Sequence, residues 1–369
     1  VQILAIDMGT GTQDILVFDP AGPVENNPKM VLPSATRVAA ARVKRAHLAG
    51  RPIVLTGVVS GGGPCSWAVE EFLAAGGRAF ATPEAAQTFD DDLERVREMG
   101  ITIVSDDEAV RIDAERIVLQ DLDLDAIRSA LAAFEVPVEF DGIAAGCLDH
   151  GAAPPGVSDR LFRFGHLERL ARTRDHLLTF ATHPDDLPAY LTRARAMVAC
   201  AAHAAPVAFM DTGPAAALGA LHDERVAGHG ESIVLNLGNM HLLGFHLRGA
   251  RIASLFEHHT GEVTTEQIVR FTRRMAAGEL SNQEIFESKG HGALHVDRSL
   301  VAARLPGMVA VTGPQRGRLA DTDLAPYFAA PFGDMMISGC FGLLRAFADV
   351  YPEAAPAIEH RLGPLPGSE

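Results

Sequence analysis
The chain has 369 residues, enough for two domains with substantial cores rather than one small module. Apolar residues make up 47% and charged residues 21%, which excludes a disordered chain, while aromatics at 6% leave too few rings for a base-stacking platform. A formal net charge of −15 opposes attraction to nucleic acid or an anionic membrane, so a small anionic ligand needs a local positive site or a metal.

Residues 2–7 (QILAID) and 14–19 (DILVFD) are apolar runs joined by the glycine-rich MGTGTQ, which reads as a β-hairpin with a tight loop. A third strand is expected at 29–33, then an Ala- and Arg-rich helix with Ser34 as N-cap and Gly50 as its stop. PIVLTGVV reads as a strand, and SGGGPCSWAVEEFLAAGG as a glycine loop entering a helix. Gly61, Gly62 and Gly63 there suit a plain strand-to-helix turn as well as anion contact at a helix N-terminus. This is an α/β alternation. From Arg78 to Val136 the pattern loosens: ITIV and RIVL read as strands and DLDAIRSALAAF as a helix, with no topology assigned. GIAAGCL (142–148) reads as a strand ending on Asp149, His150 and Gly151, where strand ends present side chains to a cleft. Residues 161–202 read as mainly helical, followed by the strand PVAFMD and the small-residue helix TGPAAALGALHD, with Pro214 near its first turn. The longest weakly polar stretch, 197–221, contains His203, Pro206, Asp211 and Pro214, which argues against a membrane span.

A second strand block runs through SIVLNLG, MHLLGFHL and ARIASLFEH, with turns at Gly238-Asn239 and Arg248-Gly249-Ala250. Hairpin, third strand and helices thus recur from residue 232 in the order seen from residue 2, which predicts two similarly built domains, 1–221 and 222–369. Helices are expected near 264–278 and 281–288, then a strand at 308–312, the loop Gly313-Pro314-Gln315, and a final helix within 333–350 headed by Asp334 as cap or dipole partner. Glu257, His258 and His259 lie at a strand end. His291 and His295 are four apart and would share a helix face as metal ligands if that segment were helical, but Gly290 and Gly292 argue against a helix. Cys65, Cys147, Cys200 and Cys340 are too widely spaced for a zinc ribbon or an iron–sulfur cluster, and Cys65 reads as a small buried residue. A reduced cytoplasmic setting is expected, since the opening run reads as a strand rather than a secretory signal.

IDMGTGTQD resembles the first phosphate motif of the actin, sugar-kinase and Hsp70 superfamily, in which an Asp on the first strand precedes a glycine- and threonine-containing hairpin. MDTGPAAALGAL resembles the first connecting helix of that superfamily, and NLGNMH stands where the second phosphate hairpin belongs. VAVTGPQRG resembles the adenosine-binding strand and loop, and GDMMISGCFGLLRAF the small-residue helix after it. The resemblance implies an α/β fold of two ribonuclease-H-like domains with a nucleotide cleft between them, and ATP and Mg²⁺ as cofactors. Gly9, Thr10, Gly11, Thr12, Gln13 and Asp14 would form one phosphate wall, because glycines admit backbone N–H groups to phosphate oxygens and the threonine hydroxyls add donors. Gly238, Asn239 and His241 would form the other wall, Gly313, Pro314 and Asp334 would lie beside the nucleotide, and Asp7 would hold waters of the magnesium ion. For either hairpin the bland alternative is a turn whose glycines serve only the backbone. Asp149 and His150 resemble the strand-end position that faces substrate in sugar kinases, where either is a candidate general base; a hydrogen-bonded turn is the alternative.

As a whole the chain is also similar to a prokaryotic family labelled pyruvate formate-lyase activating-like, through GTGTQD, TGVxxGGGPC, DHG, FEHHTG and GDMM. Activating enzymes of that type use S-adenosylmethionine with an iron–sulfur cluster on CxxxCxxC, a spacing this sequence lacks, so radical chemistry is not expected. The expected function is an ATP-dependent, kinase-like phosphotransferase acting on an unspecified small molecule, with no nucleic-acid or membrane partner. The alternative is a nucleotide-responsive binding or regulatory protein without efficient turnover, because Asn236 stands where many superfamily members carry a carboxylate.

Overall fold
The computed structural model describes residues 1–301 and 304–367. The predicted hairpin is present as β1 (Ile3–Met8) and β2 (Thr12–Phe18), with Asp7 directly opposite Asp14 and β3 (Lys29–Pro33) antiparallel outside β2. The chain then builds a separate parallel sheet from β4 (Ile53–Gly57), β5 (Ala79–Ala81), β6 (Ile101–Ile103) and β7 (Glu115–Leu119), in the order β6-β5-β4-β7. It returns with β8 (Gly142–Cys147), β9 (Ala181–Thr182) and β10 (Val207–Met210), which complete a first sheet of order β3-β2-β1-β8-β10-β9. The second sheet follows as β11 (Glu231–Leu237), β12 (His241–Arg248), β13 (Arg251–His259), β14 (Gly292–His295), β15 (Val309–Thr312) and β16 (Tyr327–Phe328), in the order β14-β13-β12-β11-β15-β16.

In each large sheet a three-stranded antiparallel meander is continued, beside its first strand, by two strands parallel to that strand. This is the ribonuclease-H-like order, and it occurs twice. The α/β class with two ribonuclease-H-like units predicted from the sequence is therefore the architecture of the chain.

All six residues of β1 are buried, because helices cover both faces of its sheet. Side chains alternate along a strand, so Ile3 and Ala5 join the core that contains Ala215, Leu343 and Phe347, while Leu4, Ile6 and Met8 join the one that contains Ile127 and Met197. The same alternation turns Asp7 toward the first of these, where it meets the helix Ser338–Val350. That helix crosses the helix Thr212–Ala220 at close range: a Cβ on Gly219 would strike the carbonyl of Ser338, and one on Gly342 that of Ala215. It also packs on β1, β8 and β10, so the chain comes back to its first sheet after finishing the second.

Several expectations need correction. Residues 161–202 hold two helices, Asp159–Thr173 and Thr192–Ala201, separated by β9 and short 3₁₀ turns in a stretch broken by Pro184 and Pro188. Ser34 occupies the N-cap position of the helix Ala35–Leu48, but its hydroxyl donates to the Thr10 carbonyl at 2.7 Å instead of capping. The last predicted helix begins at Ser338 with Ile337 at its N-cap, so Asp334 caps nothing there; it accepts from the Met336 N–H at 3.1 Å. A further helix, Ala355–Leu362, follows it. No helix among the described residues is long and apolar enough to cross a membrane.

Candidate functional site
The two hairpin turns are built alike and face each other. In the first, the Gly9 N–H donates to the Thr12 carbonyl at 2.9 Å; in the second, the Gly238 N–H donates to the His241 carbonyl at 2.9 Å. They approach so closely that a Cβ on Gly11 would strike the Asn239 amide. Gly313, at φ +92°, lies under the second turn, and a side chain there would meet the Leu237 carbonyl, so only glycine is comfortable. Between the hairpins lies a cleft of about 850 Å³ lined by Asp7, Thr10, Thr12, Asp14, Asn236, Asn239, Pro314 and Ser338, among others.

The floor of this cleft is electrostatically unusual. Asp7 and Asp14 are buried cross-strand neighbours, and each has an oxygen with no hydrogen-bond partner. Burial pushes the Asp7 carboxyl up to about 7, against a hydrogen bond from Thr212 and with help from the charge of Asp211. Burial, then the charge of Asp7, pushes Asp14 up to about 8, with Asp334 adding to the repulsion. Two desolvated carboxyls side by side either share protons or take up a cation.

A second chamber, of about 1010 Å³, adjoins the cleft through Thr10, Leu148, Arg193, Met240 and His241. Its wall includes the loop Ser60–Gly63, Thr88, Asp91, Asp149 and His150. Arg193 stands where the two spaces meet, held by Asp121 at 2.6 Å and donating to the Leu148 carbonyl at 2.6 Å. Asp149 is bound at both oxygens: one accepts from Gly151 N at 2.8 Å, the other from Ala194 N at 2.9 Å. Burial raises its pKa, and these two amides oppose the rise. Asp91 is raised as well, by burial and then by the charge of Asp149.

Behind both spaces Arg163 is fully buried. It reaches Asp211 at 2.5 Å, Glu257 at 2.9 Å and the Asp149 carbonyl at 3.0 Å, and so ties β8, β13 and the start of the helix Thr212–Ala220 together. Glu257 borders four histidines. His241 is paired across strands with His259, the His291 N–H bonds to the Glu257 carbonyl, and His150 Nε2 lies 3.2 Å from His241 Nε2. Burial is the largest cause holding all four neutral: His150 falls to about 3 and His291 to about 2, while His241 and His259 are also lowered.

Most of the predicted residues therefore converge. Asp7, Gly9, Thr10, Thr12, Asp14, Gly238, Asn239, His241, Gly313 and Pro314 line one cleft, with Gly11 at the contact between the hairpins. Asp149 and His150 open on the adjoining chamber. Gln13 is turned aside, its amide donating to the Pro33 carbonyl at 3.0 Å, and Asp334 faces Lys29 at 4.0 Å. The segment with His291 and His295 is not helical, as Gly290 and Gly292 suggested, so the two do not share a helix face. The segment is extended, and His295 contacts Ser254 Oγ at 2.8 Å and the Leu280 carbonyl at 2.9 Å. Alternation along β13 likewise sends His258 away from His259, to Ser288 at 3.2 Å. Sequence reasoning missed Arg163, Arg193 and Asp91, none of which carries a local signal. It also missed Gly339, whose missing side chain lets Asp7 lie against the helix backbone.

The sequence matches the family model DUF1786, described as "Putative pyruvate format-lyase activating enzyme", over residues 60–318. No curated protein matches it. Among solved structures, the chain is similar to the Lmo2764 protein of Listeria monocytogenes, described as a putative N-acetylmannosamine kinase, with 12% identity, 95% of this chain and 99% of that chain covered, and a TM-score of 0.33. A ROK family glucokinase from Streptomyces griseus in complex with glucose and AMPPNP shows 13% identity, coverage of 96% and 100%, and a TM-score of 0.35. The Aquifex aeolicus member of the Ppx/GppA family shows 11% identity, coverage of 96% and 79%, and a TM-score of 0.30. The fold rests on the strand order above rather than on likenesses this distant.

Proposed function
The chain belongs to the DUF1786 family, whose model spans residues 60–318, and from that premise and the cleft geometry we propose that it is an ATP-dependent phosphotransferase acting on a small molecule. The observation that carries the reading is the pair of matching glycine turns facing each other over the Asp7 and Asp14 carboxyls. The radical chemistry in the family's description finds no support in the residues. Cys65, Cys147, Cys200 and Cys340 sit on four different elements and are all free thiols.

Magnesium and nucleotide fit the residues present. Asp7 and Asp14 each keep an unpartnered buried oxygen, and the glycine turns leave space that side chains would fill. Asp7 and Asp14 would hold the ion through its waters, the two hairpins would bind the phosphates, and Gly313 and Pro314 would border the nucleoside. The bound nucleotide supplies the phosphoryl group, and the chain contributes position and compensating charge. The second chamber takes the acceptor. Asp149, tied down at both oxygens, orients the 149–151 turn, while neutral His150 and Asp91 are the groups able to take the acceptor's proton.

One observation favours the second reading, a nucleotide-responsive binding protein without efficient turnover. Asn236 replaces a carboxylate at the position matching Asp7, and an amide binds a hard cation less well. Calorimetric titration with ATP, with and without Mg²⁺, tests the pocket. The expected result is magnesium-dependent binding that Asp7→Asn and Gly11→Val each abolish, followed by ATP consumption with an acceptor from a panel of hydroxyl compounds. No binding at millimolar nucleotide would sink the proposal, and binding without consumption by any acceptor would favour the second reading.

A further inference from the structure
The phosphotransferase reading uses the carboxyls of one hairpin and gives a proton-transfer task to only one, His150, of the four imidazoles gathered at the other. Three of them come from the second sheet. His241 opens β12, His259 closes β13 opposite it, and His291 precedes β14 with its backbone tied to Glu257. The fourth, His150, arrives from the end of β8 in the first sheet. The His259 and His291 rings are 4.4 Å apart between centroids, and His241 is 5.2 Å from His291.

Burial makes this cluster informative. His291 is fully buried, yet neither of its ring nitrogens has a hydrogen-bond partner, and leaving such groups unpaired in the interior is costly. His150 and His241 present the same kind of atom, Nε2, to each other at 3.2 Å. We propose that His150, His241 and His291 bind a divalent transition-metal ion of the zinc, iron or cobalt class, with His259 at its flank as a fourth donor.

The dimensions suit such an ion. Metal–nitrogen bonds of about 2.0–2.1 Å in a tetrahedral site put neighbouring donors roughly 3.3 Å apart, close to the separation of His150 from His241. One donor atom from each of the three histidines lies within 4.8 Å of the others, and rotation of the unrestrained His291 ring closes the remainder. Glu257 Oε2 lies 3.9 Å from His291 Nδ1, outside hydrogen-bond distance as the ring stands, and Arg163 anchors the carboxylate from behind; a shift of the ring toward Glu257 would let the carboxylate accept that N–H while the other nitrogen binds the ion. Neutral imidazoles select against magnesium, which takes oxygen ligands, so this centre is distinct from the Asp7 and Asp14 pair. It goes beyond the phosphotransferase reading and does not depend on it. Ligation withdraws His150 from proton transfer, which leaves Asp91. Because His150 belongs to the first sheet and the others to the second, the ion ties the two lobes together across the cleft.

Chelator-stripped protein titrated with Co²⁺ tests the assignment. One equivalent should give the visible absorption of a low-coordinate nitrogen site, persist in millimolar Mg²⁺, be displaced by Zn²⁺, and raise the melting temperature. His291→Gln and His150→Asn should each weaken Co²⁺ binding about 100-fold or more, while Asp7→Asn leaves it unchanged. If His291→Gln does not fold, the more exposed His150→Asn decides the matter. Co²⁺ affinity that survives in the folded variants, or no stoichiometric binding in the micromolar range, overturns the proposal.

Discussion

Replacing Asp7 with Asn should make the ligand-free protein more stable at pH 8 while removing its response to magnesium nucleotide. Asp7 and Asp14 are held at about 7 and about 8 against an ordinary value of 3.8, chiefly because both are buried. A carboxyl whose pKa rises on folding holds its proton more tightly in the folded chain. The stability it contributes is therefore present below the unfolded value and is lost as pH rises through the folded one, here from about pH 4 to about pH 8. For Asp7 the shift of about three units corresponds to about 4 kcal/mol by pH 8, at about 1.4 kcal/mol per unit. An asparagine amide escapes that loss and eases Asp14, but it puts N–H donors in a buried site, at a cost of about 1–3 kcal/mol. The net gain is about 1–3 kcal/mol at pH 8, or roughly 1–4 °C in melting temperature for a chain of this size. Near pH 5 both folded carboxyls are already protonated, so the variant should be level with the parent or slightly below it. Thermal melts from pH 5 to pH 8, with and without magnesium and ATP, measure both effects. A variant destabilised equally at both ends of that range would refute the strained pair, and one that still gains stability from magnesium ATP would refute the ligand role.

Gly219→Ala and Gly342→Ala each drive a methyl group into a backbone carbonyl of the crossing helix, which cannot retreat as a side chain could; a loss of about 3 kcal/mol or more is expected in melts and soluble yield, and a neutral result would contradict the crossing. Arg163→Met leaves Asp211 and Glu257 buried without their cation, so denaturant unfolding should show a loss of about 3–5 kcal/mol, and an unchanged midpoint would contradict the buried pairing. Asp149→Asn offers one carbonyl to two amide donors; about 1–3 kcal/mol of stability should go, and nucleotide titration should be unchanged while acceptor phosphorylation, measured by ATP consumption, falls.

Local patterning made both hairpins legible. Apolar runs broken by glycine turns fix β1, β2, β11 and β12 within a residue or two, and the residues that line the cleft follow from the turns. Of the second chamber the sequence marked Gly61–Gly63, Asp149 and His150 separately but not their meeting, because that depends on how the parallel sheet β6-β5-β4-β7 carries Ser60–Gly63 and Thr88 to β8, and parallel order is set by contacts distant in sequence. Arg163 and Arg193 are single arginines at unremarkable helical positions, and only the fold shows that each is charge-paired inside the protein. The histidines show both outcomes. Gly290 and Gly292 told against a shared helix face for His291 and His295, and the backbone there is extended, whereas His291 beside His150 is a meeting of two sheets that no spacing could announce.

Because the same strand order occurs twice, the difference between the two walls is informative. Asp7 pairs across its hairpin with Asp14, and the matching pair in the second sheet is Asn236 with Leu243. The Gly9 turn closes on Thr12, and the Gly238 turn closes on His241. The same backbone thus carries two carboxyls on one wall, and an amide with an imidazole on the other. Oxygen-rich and nitrogen-rich walls attract different ions: a hard cation with a water shell suits Asp7 and Asp14, whereas an ion that prefers imidazole suits His241 and its neighbours. Beside the wall that carries Asn236, imidazoles from both sheets gather, and His291 is buried there with both ring nitrogens unpartnered. The proposed transition-metal centre thus lies beside the wall that lacks the carboxyl pair, and the proposed magnesium site lies on the wall that has it, so the two assignments do not compete for the same donors.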